Sequence, residues 1–126
     1  MQSDYTLRID GAPWRGWTEM EVARSIERMG AEGSVALIDR PDAPFLGGAL
    51  KPGARCIVEI GADTVLDGYI DAIEQRFGAD GSLTRLRFRD RTGDLVDCAA
   101  SVDGPFEFSS ARLEEVLARV LEPYGI

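Results

Sequence analysis

Arginine is the residue type whose spacing in this 126-residue chain most suggests a binding function. Three arginines alternate with apolar residues along one predicted strand: Arg85, Arg87 and Arg89. Guanidinium groups on one strand face can bind phosphate or the carboxylates of a partner protein, because both present paired oxygens. The alternative, which we favour, is ion pairing with acids on the neighbouring strand. The acids considered for that pairing are Asp67, Asp71 and Glu59.

Carboxylates are the second group that could do chemistry, since the chain has 22 acidic residues. Neighbouring acids occur in three sets: Asp67 with Asp71, Asp90 with Asp94 and Asp97, and Glu114 with Glu115. Such neighbours could serve acid–base catalysis or hold a hard cation. None has the alternating oxygen ligands around a glycine that a calcium loop requires. We therefore predict a solvated acidic surface, with no catalytic, metal or cofactor site.

Histidine is absent from the chain, which excludes Ser-His-Asp and Cys-His nucleophilic systems and His-ligated metal sites within it. The two cysteines, Cys56 and Cys98, lie 42 positions apart and form no CxxC pattern. We interpret both as small buried residues rather than as a metal or redox pair, and a disulfide between them stays open. A self-contained hydrolase or zinc enzyme is not expected.

Two tryptophans flank a short Arg-Gly step near the first predicted turn: Trp14 and Trp17. Indole rings so placed could stack on a sugar or a base. More often such residues anchor the edge of a barrel or a contact between subunits. This second interpretation is the one we favour.

The overall charge narrows the range of partners. The net charge is −8 and the sequence pI is about 4.5, which argues against general nucleic-acid binding and against docking on anionic membranes. The charge is uneven, because residues 76–91 hold five arginines and two acids, a balance of +3, and the other 110 residues carry −11. No apolar run approaches the ~20 residues of a membrane span, so we expect a soluble protein made in a cytoplasm.

Short segments between frequent turns predict a mainly β fold with some helix. Residues 5–9 alternate as a strand does, and residues 55–60, 64–76 and 83–90 predict an antiparallel meander. The last of these is the most regular, with Thr84, Leu86 and Phe88 on one face and the three arginines on the other. Gly68 within the long second strand predicts a bulge or a close backbone approach.

Two further segments complete the outline. Residues 17–29 suit a helix by propensity and a strand by alternation, and periodicity does not decide between them. Near the C-terminus, Ser109 or Ser110 is expected to cap a helix whose apolar face needs a partner surface, and which ends at Pro123 and Gly125. The five apolar residues on that face are Leu113, Val116, Leu117, Val120 and Leu121. The apolar end of the chain suggests a truncated piece of a longer protein.

Several segments, taken in order, resemble the N-terminal region of the baseplate hub protein of Mu-like, contractile-tailed phages and prophages. They are GW followed by MEVARSIE at 16–27, SVALIDR at 34–40, PGARCIVEI at 52–60, LDGYIDAI at 66–73, RFRDRTGDLVDCAA at 87–100 and PYGI at 123–126. The most specific is the run at 87–100, in which the family's motif falls on five residues: Asp90, Asp94, Leu95, Asp97 and Cys98.

The resemblance implies a structural component of the virion tail baseplate, assembled in the bacterial host cytoplasm. It implies a split β-barrel like that of tail-tube and hub domains, with residues 20–26 as a strand paired to residues 35–38. Residues 1–126 would then be a single N-terminal hub domain. The full-length protein would form a homotrimeric ring that joins the tail tube to the central spike, contacts other baseplate proteins and lets DNA pass. The motif residues are interpreted as architectural, and the acidic surface as part of the wall of the DNA channel.

Two other classes of function stay open. One is a β domain that binds carbohydrate or peptide through Trp14 and Trp17. The other is an enzyme domain that borrows catalytic groups from a C-terminal part of a longer chain.

Overall fold

The fold is a curled antiparallel sheet with two short helices, and the computed structural model describes residues 4–38, 50–79, 81–99 and 107–126. The strands are β1 (Tyr5–Ile9), β2 (Ala12–Trp14), β3 (Trp17–Ala23), β4 (Glu32–Ile38), β5 (Arg55–Ile60), β6 (Asp63–Gly78) and β7 (Gly81–Asp90). After β7 come a 3-10 turn (Arg91–Gly93), α1 (Asp94–Asp97), α2 (Leu113–Leu121) and a second 3-10 turn (Glu122–Tyr124).

The sheet runs in the order β2-β1-β5-β6-β7-β4-β3, so β2 and β3 lie at its two edges. Only Arg15 and Gly16 separate the end of β2 from the start of β3. Because consecutive Cα atoms are 3.8 Å apart, this link holds the two edges within about 11 Å of each other at that corner. The sheet therefore curls into a half-barrel, as predicted for a split barrel.

The concave face of the sheet forms the core. The largest side chains that are fully buried are Leu7, Val35, Cys56, Val58, Leu66, Ile70, Leu86 and Phe88. Burial of each large aliphatic or aromatic side chain contributes about 1.5 to 3 kcal/mol of favourable transfer free energy. These residues come from β1, β4, β5, β6 and β7, so all three predicted meander strands and the first strand are confirmed.

Strand β7 confirms the predicted alternation. Thr84, Leu86 and Phe88 are buried, and the arginines between them point to the outer face. Gly68 on β6 confirms the predicted close approach, because a Cβ there would lie 1.8 Å from the carbonyl oxygen of Arg89. The register shift between β6 and β7 comes slightly later, between Ile70 and Ala72.

Segment 17–29 is a strand for its first seven residues and not a helix. Met20 pairs with Val35 and Ala23 with Glu32, so cross-strand pairing outweighs helix propensity. The prediction of a strand reaching residue 26 was wrong, since β3 ends at Ala23 and Ile26 is fully exposed. Residues 24–30, which follow β3, form a largely exposed turn in place of the remainder of the predicted strand.

The C-terminal helix is present, but its predicted cap was wrong. Helix α2 begins at Leu113 after Arg112, whose backbone N–H donates to the Glu115 carboxylate over 3.1 Å. Ser110 instead has a φ of 58°, in the left-handed region. The helix passes into the second 3-10 turn, which contains Pro123, and Gly125 follows with a φ of 64°.

The two cysteines differ in environment. Cys56 is buried, as predicted, but Cys98 is exposed, so its predicted burial was wrong. It lies directly after α1, outside the strands of the sheet. Both thiols are free.

Candidate functional site

The outer face of the sheet carries the three arginines of β7, and each makes an ion pair. Arg85 lies 4.0 Å from Glu19 of β3, Arg87 lies 3.4 Å from Glu74 of β6, and Arg89 pairs with Asp97 of α1. All three arginines therefore pair within the chain, but only Arg87 meets an acid on a neighbouring strand, as predicted.

The predicted partners were wrong. Asp67 pairs with Arg55 on β5, at 3.0 Å, and Glu59 with Arg8 on β1, at 3.1 Å. The partners of the arginine row lie instead on β3, on β6 and in α1. Strand β6 is next to β7, whereas β3 lies beyond β4. Ala36 lies opposite Glu19 on one side and opposite Arg85 on the other. The long guanidinium side chain therefore spans β4 and reaches the acid beyond it.

These ion pairs limit what the arginine row can bind. The side chains of Arg85 and Arg87 are 48% and 56% exposed, so each pair contributes less than about 1 kcal/mol. Each guanidinium already faces a carboxylate of its own chain, which leaves no preorganised cluster of free cations for phosphate. An exposed row of alternating charges remains suited to contact with another protein surface.

The corner where the sheet edges meet carries both tryptophans. Trp14 and Trp17 are half-buried and pack against the core, so the structure brings the two predicted residues together at the edge of the half-barrel. An open groove of about 310 Å³ runs along this corner, lined by residues 4–6 and 13–17. Tyr5, which is 47% exposed, contributes a third aromatic ring to the lining.

The motif run 90–98 forms a hydrogen-bonded joint at the end of β7. The Asp90 carboxylate accepts from the Thr92 backbone N–H at 2.9 Å and from its hydroxyl at 2.8 Å, and so starts the 3-10 turn. The Asp94 carboxylate accepts from the Tyr69 hydroxyl, and Asp97 from Arg89.

The remaining motif residues have less defined contacts. Leu95 is half-buried and Cys98 exposed. Gly93 is buried beneath the Arg89 guanidinium, where a Cβ would lie 2.5 Å from Nε. This arrangement supports the architectural interpretation of the motif.

The joint perturbs two ionisable groups. The hydrogen bond to Asp94, together with partial burial, raises the pKa of Tyr69 to about 12. The bond to Asp97 raises the pKa of Arg89. Both carboxylates stabilise the protonated form of the group that donates to them, and this raises the pKa of that group. Both groups therefore stay protonated at neutral pH.

Three residues of this joint were not singled out from the sequence. Tyr69 comes from β6, one strand away, and Arg91 donates to the carbonyl oxygens of Tyr124 at 3.3 Å and Gly125 at 2.9 Å. The Tyr124 hydroxyl donates to the Ala99 carbonyl at 3.1 Å. The only sequence signal for them was membership of three segments of the family resemblance: Tyr69 belongs to LDGYIDAI, Arg91 to RFRDRTGDLVDCAA and Tyr124 to PYGI. Together they tie the C-terminal turn to the end of the sheet.

Within the described ranges, no three His, Cys, Asp or Glu side chains are grouped so that they could hold a metal ion. Among the same residues, no helix has the length and apolar character needed to cross a membrane. No arrangement of nucleophile, base and oxyanion donor accompanies the groove at the sheet corner. The notable features of the described surface are therefore a row of ion pairs, an aromatic corner and a rigid joint.

Comparison with solved structures places the fold among phage tail proteins. The crystal structure of the prophage MuSo2 43 kDa tail protein from Shewanella oneidensis matches all of this chain and 40% of that one, with a TM-score of 0.75 and 29% identity. The tail protein of Neisseria meningitidis MC58 shares the fold over 78% of this chain and 28% of that one, with a TM-score of 0.63 and 21% identity.

Sequence comparison agrees with the structural match and confirms the resemblance. The baseplate hub protein gp44 of Escherichia phage Mu is 36% identical over 126 residues, which is the whole of this chain and 32% of that protein. This chain thus spans about a third of the length of that relative. Residues 92–126 match the second domain of baseplate hub proteins like gp44. Since residues 4–90, more than half of the sequence, match the N-terminal model of Mu phage baseplate assembly protein GpP-like, the chain belongs to that family.

Proposed function

We propose that this chain is part of a structural baseplate hub subunit, which forms a ring between tail tube and central spike and lets DNA pass. The observation that carries the proposal is the family match over residues 4–90, which coincides with the half-barrel from β1 to β7. The full-length protein would be a homotrimer, located in the virion tail baseplate, that contacts tail-tube, spike and other baseplate proteins. The role is architectural and not enzymatic.

Unpaired strand edges support assembly into a ring. In the described part of the chain, β3 has a hydrogen-bonded neighbour on one side only. Strand β6 pairs with β5 only as far as Tyr69, and the rest of β6 extends beyond that pairing. An unpaired edge can add a strand from another chain. When two different edges of each subunit meet head to tail, the contacts are heterologous and can close into a ring. The ion-paired face of β7 and the tryptophan corner are further candidate interface regions.

The uneven charge supports passage of DNA. The balance of −11 outside residues 76–91 includes exposed acids such as Glu21 and Asp63, neither of which has an ion pair within the described residues. Acidic walls repel phosphate, so a channel lined by them does not retain the DNA that passes through. We propose that part of this acidic surface faces the lumen of the ring. A structure of the assembled ring with acids solely on its outer wall would contradict this part of the proposal.

Deletion of the gene from its parent phage or prophage tests the proposed role. We expect particles without a functional baseplate, and full recovery of baseplates when the full-length protein is supplied in trans. Normal, infectious tails from the deletion strain would overturn the proposal. A quicker check is the genome neighbourhood, where tail-tube, tape-measure and spike genes are expected beside this one.

A second candidate function follows from the aromatic corner. The groove of about 310 Å³ beside Tyr5, Trp14 and Trp17 could hold a sugar ring or an extended peptide. Both tryptophans already pack on the core, which favours the hub role. A titration with oligosaccharides or peptides, followed by the intrinsic tryptophan fluorescence, distinguishes the binding function from the hub role. Only a binding domain gives a saturable change in fluorescence.

A further inference from the structure

Helix α2 has an apolar face that the described structure covers only in part. Leu113 is 70% exposed and Leu117 is 46% exposed. The other three residues of that face, Val116, Val120 and Leu121, are only half-buried. None of the residues of α1, α2 or the 3-10 turn after α2 is buried. The segment that contains α2 therefore lacks a core of its own.

The contacts of α2 show why it is separate from the half-barrel. Among the elements of the described ranges, the one against which it packs closely is the 3-10 turn that follows it, Glu122–Tyr124. That turn is anchored to the end of β7 by Arg91 and to residue 99 by the Tyr124 hydroxyl. The joint therefore holds the C-terminal end of the helix in place, while the concave face of the sheet is filled by its own side chains.

A nine-residue helix in this position needs a partner. Isolated helices shorter than about 12 to 15 residues are marginal in water, and most helix stability in proteins comes from packing of an apolar face. The match of residues 92–126 to a second hub domain concerns only 35 residues, fewer than the ~40 below which a chain rarely folds alone. The relatives have about two thirds of their length outside the matched region, which is ample chain to complete such a domain.

We propose that the apolar face of α2 is the docking surface for the chain that follows residue 126 in the full-length protein, where it forms the core of the second domain. On this proposal the domain boundary lies near Arg91, in place of the single domain expected over residues 1–126. The inference rests on the exposure of α2 and on the second-domain match, and it does not depend on the hub role.

A second copy of the chain is the less favoured occupant. A helix of nine residues is about 14 Å long and 10 Å wide, so its one apolar face offers far less than the ~800 Å² per partner that a standard interface buries. The first and last residues of that face are also only two turns apart. Covering it from several sides, as a domain core does, requires more chain than another copy of α2 provides.

Hydrogen exchange on the full-length protein and on the 126-residue chain tests this inference. We expect the backbone amides of residues 116–121 to exchange about 100-fold or more slowly in the full-length protein, because burial then limits opening of the helix. The informative variant is Leu117→Glu, which places a charge on the apolar face. The matched control is Ala118→Glu, one position away on the exposed polar face.

In the full-length protein, Leu117→Glu should abolish the slow exchange of α2 and Ala118→Glu should preserve it. Slow exchange in β7 serves as the internal check that the half-barrel stays folded in both variants. Equal exchange of α2 in the two lengths of chain, or slow exchange that survives Leu117→Glu, would overturn the proposal. The proposal would also be overturned if α2 in the 126-residue chain exchanged more slowly as the protein concentration rose. That result would assign the face to a second copy of the chain.

Discussion

Replacement of Gly68 by alanine should be the most damaging single-methyl change in the sheet. A Cβ at this position would lie 1.8 Å from the carbonyl oxygen of Arg89 and 2.8 Å from the Cα of Asp90. Real Cβ atoms do not come closer than about 3.0 Å to such atoms, so β6 and β7 must separate locally by at least about 1.2 Å. Both obstructing atoms belong to the backbone and cannot rotate away.

The cost can be estimated from the contacts that this separation disturbs. Overpacking of a filled site costs about 1 to 3 kcal/mol. Disturbing two or three bonds of the ladder around the Gly68–Asp90 pair adds about 1 kcal/mol for each bond. The expected loss is therefore about 3 to 6 kcal/mol. This is a large part of the roughly 5 to 15 kcal/mol that stabilises a typical domain.

The matched control lies on the same strand. A Cβ at Gly78 would meet no atom closer than 3.9 Å, and its backbone is not in the left-handed region, so Gly78→Ala should stay within about 1 kcal/mol of the parent. Urea unfolding monitored by tryptophan fluorescence gives both free energies of unfolding. A Gly68→Ala protein within about 1 kcal/mol of the parent, or equal losses in the two variants, would refute the packing argument.

Three other predictions concern charged and ionisable groups. Arg87→Ala should lower the free energy of unfolding by less than about 1 kcal/mol, because the side chain is 56% exposed; a loss above ~2 kcal/mol in urea unfolding would contradict this. A thiol reagent at pH 8 should modify Cys98 alone in the native protein, because burial shields Cys56 and raises the pKa of its thiol to about 12; rapid modification of both would contradict the core assignment. Asp94→Asn should lower the pKa of Tyr69 from about 12 towards 10 in a spectrophotometric titration. Since the folded pKa is the higher one, this contact stabilises the fold below pH 10, and its contribution is lost between pH 10 and about 12; an unchanged titration would show that the contact does not exist in solution.

Patterns that repeat over neighbouring residues were readable from the sequence. Strand β7 alternates strictly over Thr84 to Phe88, and a period of two fixes which side chains enter the core. Gly68 was readable for a related reason, since a glycine inside a long strand signals close backbone contact. The apolar face of α2 followed from its helical period.

Features that depend on contacts between distant segments were not readable. Residues 17–29 have good helix propensity, and only the partner strand β4 turns the first part into a strand. The acid that meets Arg85 depends on the register across Ala36, so nearness in sequence gave the wrong partner. The joint around Asp94 depends on Tyr69, which lies 25 positions earlier. The choice of helix cap failed because Ser110 adopts a left-handed conformation that serine rarely takes.

The mass of the full-length protein in solution, measured by light scattering after size-exclusion chromatography, tests the proposed hub role most directly. A ring subunit of the proposed kind should give three chains per particle or a multiple of three. The 126-residue chain is the matched comparison, because its mass shows whether residues 1–126 suffice for the contacts. A full-length protein that stays monomeric or forms a dimer across the concentration range would contradict the proposed trimeric hub.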